Sequence, residues 1–126
     1  MSTPVNTTVY GISNCDTVKR ARAWLTEHGI DYTFHDFKKL GVPEAALDGW
    51  LAAAGWETLV NRRGTTWRSL DDATRGAVVD TATARQALLA NPSLIKRPVV
   101  QWPGQPQVTV GFDGEAWQAL AAKVKG

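Results

Sequence analysis

The chain has 126 residues, 44% of them hydrophobic and 21% charged, which is enough for one ordinary domain whose core needs neither disulfides nor a structural metal. Fourteen Lys+Arg against twelve Asp+Glu leave a net charge of +2, which speaks against a broad nucleic-acid surface. A single cysteine, Cys15, excludes an intramolecular disulfide and a thiolate-rich metal site, so any redox work by this thiol draws its partner sulfur from another molecule. No apolar run approaches the length of a membrane span, and Met1-Ser2-Thr3-Pro4-Val5-Asn6 lacks the basic-then-apolar pattern of a signal peptide. A cytoplasmic protein is the expectation.

In chain order, Thr7 to Gly11 is short and β-branched, as suits a buried strand. Ser13 and Asn14 offer helix-capping side chains ahead of Cys15 and Asp16. Val18, Ala21 and Leu25, with His28 behind them and Trp24 beside them, recur at helical spacing, and Gly29 is placed to stop that helix. Tyr32 and Phe34 alternate with Thr33 and His35, the signature of a half-buried strand. These three elements most simply form a right-handed parallel βαβ unit.

From about residue 40 to 92 the chain reads as helical. Pro43 opens a helix carrying Leu47, Trp50, Leu51 and Ala54 on one face and ended by Gly55. Asp71-Asp72 caps a short helix, and Asp80 caps another that runs through Ala84, Ala87 and Leu88 to Asn91-Pro92. Strands then return. Pro98 leads Val99-Val100-Gln101-Trp102, Pro103-Gly104-Gln105-Pro106 turns, and Gln107-Val108-Thr109-Val110 pairs back. Asp113 caps a final helix with Trp117, Leu120, Ala121 and Val124 on one stripe. The predicted class is α/β: a βαβ–ββα, thioredoxin-like plan with an inserted helical subdomain.

Cys15 is the candidate for chemistry. At the start of a helix its sulfur would face unpaired backbone N–H groups and the positive end of the helix dipole. An ordinary thiol near ~8.5 is only about 3% thiolate at pH 7, and a helix start with nearby cations lowers the pKa to ~3.5–7.5. Asp16 works against a deep shift, since an adjacent carboxylate disfavours the anion. Position alone leaves a second reading open, a small buried filler. Three residues on, where a resolving cysteine would sit, the chain has Val18; an external thiol must take that step, and glutathione is the abundant cytosolic one.

Two further stretches carry cations. Asn61-Arg62-Arg63-Gly64-Thr65-Thr66-Trp67-Arg68 brings guanidinium groups around a glycine, either a solvated helix end or an oxyanion-binding loop. Lys96-Arg97-Pro98 places charge at a strand end, where α/β sites tend to lie. His28 and His35 show no metal-ligand spacing, and no phosphate-binding glycine loop or serine nucleophile motif is present.

The opening Val9-Tyr10-Gly11-Ile12-Ser13-Asn14-Cys15-Asp16-Thr17-Val18-Lys19-Arg20-Ala21-Arg22, the stretch from Asn61 to Leu70 and Ile95-Lys96-Arg97-Pro98 together resemble the ArsC/Spx family, most closely its YffB-type branch, over nearly the whole chain. The resemblance implies a thioredoxin-like fold with a helical insertion, a catalytic Cys15 and an active-site Arg97. It also implies that Pro98 is a cis-proline facing the nucleophile; Asn14, Arg62 and Pro98 are the candidate substrate- or anion-binding residues. In the family's arsenate reductases the cysteine attacks arsenate, glutathione attacks the adduct, a glutaredoxin reduces the product, and three arginines hold the anion. Here only Arg97 matches that set. Asn61 stands at the second arginine position with Arg62 one place along, and the third falls near Gly111. Two lost charge-assisted contacts, each worth ~1.5–3 kcal/mol, weaken arsenate binding by orders of magnitude. The expectation is therefore a glutathione-dependent thiol reductase with no bound cofactor, using glutathione as co-substrate and glutaredoxin as a possible partner. An Spx-like regulator that binds RNA polymerase is the alternative, as is a true arsenate reductase.

Overall fold

The computed structural model describes residues 7–104 and 108–125. In chain order it has β1 (Thr7–Gly11), α1 (Asp16–Glu27), β2 (Tyr32–Asp36), α2 (Phe37–Leu40), α3 (Glu44–Ala54), α4 (Trp56–Leu59) and α5 (Thr65–Arg68). There follow α6 (Asp72–Gly76), α7 (Thr81–Ala90), a 3-10 turn (Pro92–Leu94), β3 (Val99–Gln101), β4 (Val108–Val110) and α8 (Gly114–Lys125). The Gln105-Pro106 part of the predicted turn, Gln107 at the head of the predicted last strand and the side chain of Val124 lie outside the described residues. The chain divides into two compact units, Met1–Leu40 with Arg97–Gly126, and Gly41–Lys96.

The first unit is built on a four-stranded sheet of order β2-β1-β3-β4. β1 runs parallel to β2 with Val9 opposite Phe34, and antiparallel to β3 with Val9 opposite Val100; β3 and β4 are antiparallel. With α1 connecting the parallel pair and α8 closing the chain, this is the expected α/β, thioredoxin-like plan. α1 ends as its sequence predicts. Gly29 adopts φ +70°, its N–H bonds the Thr26 carbonyl, and the Ile30 N–H reaches back to the Leu25 carbonyl at 2.9 Å. This is a Schellman close, and Leu25 and Ile30 enter one core together.

That core joins Val9, Ala21, Leu25, Val100, Trp102, Trp117, Leu120 and Ala121. Trp117 meets Trp102, Trp24 and Phe112 edge-on, with ring centroids 5.1, 5.6 and 4.8 Å away. The one polar atom of the Trp102 ring is satisfied, since its Nε1–H donates to Thr109 Oγ1 at 3.0 Å. Asp113 Oδ1 accepts from the Glu115 and Ala116 N–H groups at the head of α8, the cap its sequence position predicts.

The second unit holds α3 to α7. Asp71 caps α6 by accepting from the Thr74 N–H, and Asp80 with Thr83 forms a reciprocal capping box on α7. Arg85 ties α7 to α3 through Asp48 at 2.6 Å and Glu44 at 3.0 Å. The stretch is not helical throughout. After α4 the chain extends, and Val60 bridges Ile95. The Asn61 and Lys96 N–H groups donate to the Leu94 and Leu59 carbonyls, both at 2.8 Å, which carries this unit on to Lys96. Among the described residues no helix is long and apolar enough to cross a membrane.

Candidate active site

β1 delivers the chain to Gly11, and a tight turn follows in which the Cys15 N–H donates to the Ile12 carbonyl at 3.2 Å. Sequence reading puts a capping side chain at Ser13 or Asn14. The structure instead makes Cys15 the N-cap of α1, in extended conformation, with Ser13 and Asn14 exposed in the turn ahead of it. The reason lies in packing. A Cβ on Gly11 would stand 2.9 Å from Val18 Cγ2, so the end of β1 and the first turn of α1 are in close contact. Fully buried Val18 thereby fixes where the helix starts.

The Cys15 sulfur is half-buried and free. Burial pushes its pKa upward and is the largest single influence. The Val18 N–H, the Arg97 guanidinium through a hydrogen bond and its charge, and the Thr17 N–H together outweigh it and hold the thiol below its ordinary value. Asp16, expected to oppose the thiolate, is exposed.

Arg97 reaches the sulfur because of strand pairing. β1 and β3 run antiparallel with Tyr10 opposite Val99, so the residues just before β3 lie beside the end of β1 where the Cys15 turn begins. The Arg97–Pro98 peptide bond is cis, Pro98 is buried, and its carbonyl accepts from the Gly111 N–H at 2.9 Å. The structure thus brings Cys15 and Arg97 into contact, with Pro98 next in the chain and Asn14 in the turn.

Arg62 belongs to the other unit, where it lies 3.8 Å from Glu57 and 5.7 Å from the Trp56 ring centroid. There it lines a cavity of about 480 Å3 with Asn61, Arg63 and Lys96. Both positions at which the chain departs from the arginine set have local structural work. Asn61 Oδ1 accepts from the Arg63 N–H at 3.2 Å, folding the loop onto itself, and Gly111 adopts φ +86°, where an arginine would be strained. Among the described residues no three His, Cys, Asp or Glu side chains are grouped to hold a metal.

The site is thus a single thiol at a helix start of an α/β, thioredoxin-like protein, hydrogen-bonded by an arginine that precedes a cis-proline. The ArsC family model matches residues 10–120, and the chain belongs to the ArsC family. It is 43% identical over 115 residues, 91% of this chain and 98% of the other, to an uncharacterized protein of Haemophilus influenzae. It also matches a solved structure named YffB at 46% identity and TM-score 0.85, covering 92% of this chain and 99% of that one. The global transcriptional regulator Spx of Streptococcus pyogenes is 24% identical over 119 residues, 92% of this chain and 85% of its own.

Arg97→Ala removes both a hydrogen bond and a positive charge from the sulfur, so the Cys15 pKa rises. The pH profile of iodoacetamide alkylation shifts to higher pH in the variant, and the rate at neutral pH falls. An identical profile would remove Arg97 from this role.

Proposed function

We propose that the protein is a glutathione-dependent thiol reductase in which Cys15 is the nucleophile. The observation that carries this reading is the lone, half-exposed sulfur whose pKa is lowered by Arg97 and the Val18 and Thr17 N–H groups, in a chain with no second cysteine. The Cys15 thiolate attacks one sulfur of an oxidised substrate, forming a mixed disulfide and releasing the other sulfur as a thiolate that takes a proton from solvent. A first glutathione thiolate then attacks the Cys15 sulfur of that mixed disulfide, forming a Cys15–glutathione disulfide and releasing the substrate thiolate. A second attacks the glutathione sulfur, Cys15 leaves again as a thiolate, and two electrons have passed from two glutathione molecules, which end as glutathione disulfide. Arg97 steadies the anion at both stages, with Asn14 and Pro98 bordering the approach. The chemistry needs no bound cofactor, and a glutaredoxin is a fitting partner for clearing mixed disulfides.

The test is intact mass after incubation with glutathione disulfide at neutral pH. One glutathione adduct, confined to Cys15 and reversed by reduced glutathione, is the expected result; a protected thiol would reject the reading. The similarity to Spx supports a second reading, a regulator that binds RNA polymerase. Stoichiometric retention by purified RNA polymerase, with no adduct on Cys15, would favour it.

A further inference from the structure

On the basis of that reading, we propose that a cleft flanking the Cys15 turn seats the amino-acid end of a peptide thiol, its carboxylate on Arg22 and Lys39 and its ammonium on Asp36. The cleft has a volume of about 340 Å3 and is lined by Ser13, Arg22, Phe34, Asp36, Lys39 and Leu40. It adjoins the turn that carries the nucleophile, since Ser13 is part of its lining and Gly11, just before that turn, pairs with Asp36 at the end of β2.

Its charges are arranged for a zwitterion. The Arg22 guanidinium is held in place, its Nε–H donating to Tyr32 Oη at 3.0 Å while the group lies 4.1 Å from the Phe34 ring centroid. That leaves the terminal N–H groups of the fork for an incoming carboxylate. Among the described residues neither Arg22 nor Lys39 is within ion-pair distance of a carboxylate. Asp36 is buried and accepts from the Lys38 N–H through Oδ1 at 2.8 Å, so one oxygen is fixed and the carboxylate is oriented. Two cations without an acidic partner beside one buried carboxylate match an α-carboxylate next to an α-ammonium.

Distance selects the ligand. Arg22 lies seven residues beyond Cys15 along α1, about 10 Å of helix rise. The Arg22 side chain leans back toward the start of the helix and spans part of that rise, so at ~3.3–3.6 Å per extended residue the charged end lies about two residues' length from the reacting sulfur. Cysteine itself is too short; a tripeptide thiol such as glutathione fits, with its γ-glutamyl end in the cleft.

The experiment compares the rates at which Cys15 reacts with glutathione disulfide, cystine and hydroxyethyl disulfide in the wild type, Arg22→Gln and Lys39→Gln. The expected result is a roughly tenfold fall in the glutathione-to-hydroxyethyl rate ratio for Arg22→Gln, and a smaller fall for Lys39→Gln, while the cystine ratio holds. Lys39 is exposed, so its substitution guards against a fall caused by misfolding. Wild-type glutathione exchange with ratios unchanged in both variants would overturn the cleft and leave the reductase standing. An equal fall with cystine would overturn the argument from length. No exchange by the wild type with any of the three would remove the reductase reading and the cleft with it.

Discussion

Cys15→Ser yields a folded protein that gains no mass with glutathione disulfide and exchanges no disulfide above the uncatalysed level. A hydroxyl at this position is not ionised at neutral pH and cannot form the mixed disulfide, so the loss is complete rather than graded. Stability moves the other way. Cys15 occupies the N-cap of α1, where serine is among the preferred residues, and a serine oxygen there accepts from the same first-turn N–H groups that face the sulfur. The gain is up to about 1 kcal/mol and is greatest in acid. The sign follows from linkage: a thiol held below its ordinary pKa adds stability above its unfolded pKa and loses it as the pH falls through the folded value. Thermal melts of the two proteins between pH 5 and 9 check this, and a variant that fails to fold would show that the sulfur is structural.

Trp117→Ala is the most costly single change expected in the first unit. The side chain is 1% exposed and three aromatic rings pack edge-on against it, from α1 (Trp24), from the end of β3 (Trp102) and from the residue Phe112 ahead of α8. Removing it forfeits the transfer energy of a large aromatic and leaves a cavity between rings that cannot collapse together, about 3–5 kcal/mol. For a domain of this size that lowers Tm by about 10–20 °C. Urea unfolding followed by far-ultraviolet circular dichroism measures it, and a loss under about 1 kcal/mol would mean that the aromatic cluster contributes little.

The parts of this fold that were legible in advance are those with local causes. The Val18, Ala21 and Leu25 spacing, the Gly29 stop and the Asp80 and Asp113 caps each act within a turn or two of chain, and each is found where the sequence pattern puts it. The start of α1 was not legible. Ser13 and Asn14 are better capping residues than cysteine, but the close approach of Val18 to Gly11 decides the boundary, and that contact is tertiary. The helices α4, α5 and α6 span only four or five residues, too few for a periodic signal, and the Val60–Ile95 bridge joins residues far apart in the chain. The contact of Arg97 with Cys15 depends on the β1–β3 pairing across most of the sequence, so residue patterns alone leave Lys96-Arg97-Pro98 an unremarkable strand start, and only the family likeness assigns it. The cleft at Arg22 is invisible in the sequence for the same reason, since it needs β2 beside β1 and Lys39 and Leu40 of α2 brought to Ser13 and Arg22.

Val18 serves the nucleophile and the strand–helix junction at once. Its amide serves the sulfur while its isopropyl group is wedged against a glycine with no free space around it. A cysteine introduced there has one γ atom where valine has two, so part of that contact with Gly11 would be lost. A second cysteine at this position would therefore be felt first as a packing cost at the junction of one strand and one helix, before any effect on redox chemistry.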